Sequence, residues 1–98
     1  MSNDAVSIAP NLHKVIFEND RVRILKVTVH SGDKAEMHSH PDNVIVVLDG
    51  GTLKMTDKDG NTKEVYLETG KASFSPRAEH SVVNDSGGMV EVIQVELK

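Results

Sequence analysis

GDKAEMHSHPDNVIVVLDGG, Gly32 to Gly51, is the stretch that decides the fold, and GKASFSPRAEHSVVN, Gly70 to Asn84, answers it. In the first, Gly32 is followed after five residues by His38-Ser39-His40, after three more by Val44, and after a further six by Gly51. In the second, five residues separate Gly70 from Pro76, Arg77-Ala78-Glu79 lead into His80, and three residues separate His80 from Asn84. Side chains alternate faces along a strand, so His38 and His40 project to the same side as neighbouring imidazoles. His80 supplies a third if its strand lies beside the first, with Pro76 marking the turn or edge that delivers it. Three imidazoles at about 2.0–2.1 Å hold a divalent transition metal and leave positions open for water or substrate.

The two frames resemble the paired motifs of the cupin superfamily. The first family motif is a glycine, five residues, His-x-His, three or four residues, Glu, six residues and a glycine. The second is a glycine, five residues, Pro-x-Gly, two residues, His, three residues and Asn. This chain departs from it at three points: Val44 stands for the Glu, Ala78 for the second motif's internal glycine, and Glu79 alone separates Ala78 from His80. The matching region, Gly32 to Asn84, is roughly half the chain. The resemblance implies a cupin-type antiparallel β-barrel or jelly roll, a metal held by His38, His40 and His80, and a dimer formed by packing or exchanging edge strands.

Val44 bears most on function. Counted by alternation from His38 and His40 it shares their face, so a branched hydrocarbon occupies the position of a carboxylate ligand. Asn43 has the opposite parity and would need a bulge to reach the ion. Three neutral histidines leave the ion its double positive charge, which favours an anionic or chelating ligand. The set suits iron, nickel, copper or zinc over magnesium or calcium, which prefer oxygen. His13 and His30 have no such frame and are expected on the surface, and Glu36 is expected in solvent at the barrel mouth.

A chain of 98 residues is expected to form one domain, since it buries only about 60–65% of its unfolded surface. With one tyrosine, two phenylalanines and no tryptophan, the core rests on aliphatic residues. The absence of cysteine excludes a disulfide framework, a thiolate ligand and a thiol nucleophile. No apolar stretch approaches the roughly 18–20 residues that cross a membrane, and Met1 to Asn11 lacks a basic start followed by an apolar run, so a cytoplasmic location is expected. Eleven Lys and Arg against fifteen Asp and Glu give a net charge of −4, interspersed, with no basic footprint for nucleic acid.

Period-two segments rich in β-branched residues alternate with turn signals, the pattern of an all-β barrel or sandwich. Strands are expected at Val15–Phe17, Arg21–Val29, Glu36–His40, Val44–Leu48, Thr52–Thr56, Lys63–Leu67, Ala72–Ser75, His80–Asn84 and Met89–Leu97. Residues 1–14 read as an N-terminal segment packing on the barrel or a partner, and 15–98 as the barrel domain. Leu25 breaks the alternation of Val22, Ile24, Val27 and Val29, suggesting a bulge or burial on both faces. Val44, Val46 and Leu48 are expected to continue the metal-side lining, with Phe74 and Gln94 at the pocket. Ile45 and Val47 then need other cover, for which a homodimer is the expectation.

Two functional readings follow. One is a metalloenzyme, of the non-haem iron oxygenase type if the metal is ferrous, acting on a small anionic or chelating substrate. The alternative is a non-catalytic cupin that binds a metal or small ligand as a sensor, accessory or structural dimer. No residue is identified as a catalytic acid or base, and fold alone selects no substrate.

Overall fold

The turn signals divide the chain much as the sequence suggests. The computed structural model describes residues 4–98. One helical turn, α1 (Ala5–Ile8), precedes nine strands: β1 (His13–Glu18), β2 (Val22–Val29), β3 (Lys34–His40), β4 (Asn43–Asp49), β5 (Gly51–Asp57), β6 (Thr62–Leu67), β7 (Ala72–Ser75), β8 (Ala78–Val83) and β9 (Val90–Leu97). The β5–β6 hairpin turns on Asp57-Lys58-Asp59-Gly60-Asn61. Gly60 there has φ of +87°, a conformation that costs a residue with a Cβ. Gly50 is required for space instead, because a Cβ there would lie 2.2 Å from the carbonyl oxygen of Leu67.

The strands form two antiparallel sheets, β1-β2-β9-β4-β7 and β3-β8-β5-β6. Non-consecutive strands become neighbours in both, the connectivity of a jelly roll, in which two sheets face each other across a shared interior. That interior is aliphatic: Leu25, Val27 and Val29 from β2, Val47 from β4, and Val90 and Val92 from β9 meet Ala35, Leu53 and Val82 of the other sheet. Ala9 and Leu12, between α1 and β1, close the same core. The segment assigned to 1–14 thus enters β1 at His13, and α1 packs against β3 and β1. Residues 1–3 of it lie outside the described residues. No described helix is long and apolar enough to cross a membrane.

Three expectations about facing are corrected. β2 pairs with β9 without a register shift, and its inner face is Arg23, Leu25, Val27 and Val29, so Leu25 keeps the alternation and Val22 and Ile24 point outward. The irregularity lies in the partner strand β1, where the register slips between Val15 and Phe17. On β4, Ile45 and Val47 point inward, while Val44 and Val46 face outward and Leu48, 45% exposed, sits where the β4–β9 register slips. The Pro41-Asp42 turn resets the alternation carried from His40, which is why counting parity across it inverts the strand. Phe74 pairs with Val44 and follows it to the outer face, 58% exposed.

One consequence is an apolar row across the outside of the five-stranded sheet. Phe17 pairs with Ile24, Ile24 with Val95, Val95 with Val44 and Val44 with Phe74, so one side chain from each strand lines up.

Candidate metal centre

β3 and β8 are neighbours with His38 directly opposite His80, so a local pairing joins the two separated frames. The ring centroids of His38 and His40 are 4.9 Å apart, those of His38 and His80 4.9 Å, and those of His40 and His80 5.3 Å. β3 carries an extra residue between Ala35 and His38 relative to β8, a bulge that leaves Glu36 exposed. The bulge also frees the Glu36 carbonyl to accept a hydrogen bond from His38 Nδ1 at 2.7 Å.

His13 joins the cluster, contrary to the surface position expected of it. It is 5% exposed, with its ring 5.1 Å from His38 and 5.5 Å from His40. Ala5, Ala9, Leu12 and His13 are all buried, and their spacing is that of one face of a helical path. That spacing is the signal a reading confined to strands misses. His30 is on the surface, 3.4 Å from Asp33 across Nδ1 and Oδ2.

The hydrogen bonds assign the tautomers. His13 Nδ1 lies 3.0 Å from the Ala9 carbonyl and His38 Nδ1 2.7 Å from that of Glu36. A carbonyl only accepts, so both Nδ1 atoms carry the proton, and each neutral ring keeps its lone pair on Nε2. His40 Nδ1 donates in the same way to Glu96 Oε2 at 2.8 Å. His38 Nε2 is buried without a hydrogen-bond partner, a costly arrangement for a ring nitrogen unless something binds it. One ligand atom each from His13, His38 and His40 lie within 4.8 Å of one another, close enough for a metal ion to join them.

Burial holds His13, His38 and His80 neutral. It lowers His80 to about 3 and His13 to about 4, helped by the neighbouring imidazoles, and lowers His38 as well. Such rings are ready as ligands without first losing a proton.

Glu96, 2% exposed, is the other functional residue that pattern reading misses. It sits in β9 as part of the inward series Val90, Val92, Gln94 and Glu96. Its Oε1 accepts from Arg23 Nε at 2.8 Å and Nη2 at 2.6 Å. Arg23 in turn forks onto Asp4, with Nη1 3.1 Å from Oδ2. Burial pushes the Glu96 carboxyl up, but the hydrogen bonds from His40 and Arg23 outweigh it and hold the carboxyl below its usual value. Arg23 is raised, first by its bond to Asp4. The result is a chain Asp4–Arg23–Glu96–His40 that orients one imidazole from behind, an arrangement typical of metal-ligating histidines.

Two cavities flank the cluster. The inner one, about 70 Å³, is lined by aliphatic side chains including Leu12, Val27, Ile45 and Leu53, and by His13, His38, His40 and His80. The outer one, about 650 Å³, opens past His40 and His80 and is lined also by Asn43, Lys63, Ser75 and Gln94. Gln94 therefore borders both. Val44, Val46, Leu48 and Phe74 border neither, for the facing reasons given above. Asn43 points inward without a bulge, yet its amide donates to the Pro41 carbonyl at 2.8 Å and accepts from Gln94 at 3.1 Å. The donor set that remains is imidazole alone, a fit for a borderline transition metal.

Neither a protein-family model nor a curated relative matches the sequence. Solved structures do. A cupin domain from Bordetella pertussis Tohama I superposes with a TM-score of 0.81 at 26% identity, over 88% of this chain and 91% of that one. The polyketide cyclase RemF from Streptomyces resistomycificus matches at 26% identity and TM-score 0.65, over 87% of this chain and 63% of that one. An RmlC-like cupin with a double-stranded β-helix fold from Methanocaldococcus jannaschii, 15% identical with a TM-score of 0.66 over 87% and 77%, shares the fold.

Proposed function

Since the chain belongs to the cupin superfamily, we propose that its imidazole cluster holds a divalent transition-metal ion and presents it to a small anionic or chelating ligand. The observation that carries this reading is the shared orientation of the rings. His38 and His40 both turn their Nδ1 protons outward to fixed acceptors, leaving Nε2 for an ion, and His80 stands opposite His38. Iron, nickel, copper and zinc all suit such donors. When bound, the ion supplies Lewis acidity or, if ferrous, an electron to dioxygen.

The chain's own residues then have definable tasks. Glu96 holds the His40 ring in place through Nδ1. The inner aliphatic cavity keeps water from the back of the cluster. Lys63 stands at the mouth with Asp57 and Glu79, so the attraction for an anion comes from the ion itself, and Gln94 offers a polar contact that orients it. Oxygenase-type turnover on a small substrate fits this layout. The non-catalytic alternative draws support from Glu96, whose carboxylate is committed to Arg23 and His40 and so is not free as a general base.

Untagged protein is expected to carry about one iron, nickel, copper or zinc per chain by elemental analysis, with the metal lost from His38→Ala and His80→Ala. No metal in the wild type, even after anaerobic reconstitution, would overturn the reading.

We also propose that the apolar row Phe17, Ile24, Val95, Val44 and Phe74 packs against a second copy. An apolar strip spanning a whole sheet marks an interaction surface, and homodimers are the commonest oligomers. Sedimentation should show a wild-type dimer and a monomeric Val44→Asp/Phe74→Asp variant with unchanged metal content. A wild type that sediments as a monomer at high concentration would exclude this interface.

A further inference from the structure

We infer that His13 is a fourth metal ligand, delivered by the N-terminal segment, so that an imidazole from outside both sequence frames closes the centre. The inference rests on the metal reading above. It starts from spacing: one ring nitrogen from each of His13, His38 and His40 lie within 4.8 Å of one another. Three nitrogens bound at about 2.0–2.1 Å in a tetrahedral site lie about 3.4 Å from one another, so each ring needs to move inward by no more than about 0.8 Å.

Orientation agrees with spacing. The Ala9 carbonyl takes the Nδ1 proton of His13 at 3.0 Å, leaving Nε2 as the donor atom. The main chain of the same segment supports it, since His13 N also donates to the Ala9 carbonyl at 3.1 Å. Ala5, Ala9 and Leu12 anchor the segment in the core, and Asp4 ties it to Arg23. The imidazole is therefore held ready, and little conformational entropy is lost when it binds.

Elimination supports the same residue. Val44, in the motif position of the carboxylate, faces the outside. The Asn43 amide is occupied by Pro41 and Gln94. Glu96 touches His40 at Nδ1, on the side of the ring away from the donor nitrogen, and is held there by Arg23. With His80 already counted as the ligand opposite His38, His13 is the remaining imidazole beside His38 and His40 among the described residues. The ligand set thus becomes all-imidazole and neutral, and the ion keeps its double positive charge. The strap from Asp4 to His13 becomes part of the metal site rather than a flap over it.

The test is a titration of Co²⁺ into metal-free full-length wild type and His13→Ala, followed by visible absorption and by hydrogen exchange of residues 5–13. Wild type should bind one Co²⁺ per chain, with slower exchange in that segment on binding. His13→Ala should bind about 10–100-fold more weakly, the loss typical even for residues that merely support a ligand, with altered cobalt bands and no added protection of the segment. Free imidazole should restore the wild-type bands to His13→Ala, which a purely structural role for His13 would not allow. Unchanged affinity and bands in a folded His13→Ala would overturn this inference and leave the metal reading intact. No Co²⁺ binding by wild type would overturn both.

Discussion

Replacing Arg23 by alanine is expected to destabilise the fold by about 3–5 kcal/mol, the cost of stranding one partner of a buried ion pair. The side chains of Arg23 and Glu96 are 18% and 3% exposed. Without the guanidinium, the Glu96 carboxylate keeps only the His40 Nδ1–H and no compensating charge. Asp4, at 27% exposure, regains water more easily, so its share of the loss is smaller. A domain of this size is stabilised by about 5–15 kcal/mol in all, which makes the effect large on that scale. Urea unfolding at neutral pH measures it, and Arg23→Met combined with Glu96→Gln should recover much of the loss, because no carboxylate charge is then stranded and the amide oxygen still accepts from His40 Nδ1. A loss below about 1 kcal/mol in Arg23→Ala would mean that water or a proton reaches Glu96 and that the chain to His40 is not structural.

The metal-free protein is expected to lose stability steeply as pH falls below about 6.5. An unfolded histidine titrates near that value, whereas burial holds His13 at about 4 and His80 at about 3 in the folded chain. The unfolded state therefore binds more protons throughout the interval. Their contribution is whole above about 6.5 and is lost on acidification, by up to about 1.4 kcal/mol per pH unit for each ring. His13 and His80 together give roughly 3 kcal/mol per unit near pH 5. Glu96 and Asp4, both held low in the folded chain, add a loss of the same sign at still lower pH. Urea midpoints of chelator-treated protein at pH 7.5, 6 and 5 test this, and His80→Leu should flatten the profile. A profile flat across that range would mean the rings protonate inside the folded barrel.

Both expectations depend on residues that local pattern conveyed poorly. Glu96 lies between Val95 and Leu97 in a strand whose two faces are nearly equally apolar, so period-two counting gave no reason to bury a carboxylate. Its partner Arg23 is recognisable only from the register of β2 with β9, which sets the two side by side. His13 lacks a motif because its position comes from a helical turn leading into a strand. The β4 assignments failed for a different reason, since alternation is a local rule whose phase is lost at a turn such as Pro41-Asp42 or a bulge such as that at Leu48.

By itself, the sequence determined the nine strands, their approximate limits, and the meeting of His38, His40 and His80. These follow from β-branched alternation between turn residues and from two spaced frames, all of which act over a few residues. Only the tertiary structure decided which face of β4 looks inward, that His13 completes the cluster, and that Asp4, Arg23 and Glu96 stand behind His40. Those outcomes depend on strand pairing between residues as far apart as Arg23 and Glu96, where the free energy of burying charge and imidazole together is set by neighbours that no local spacing specifies.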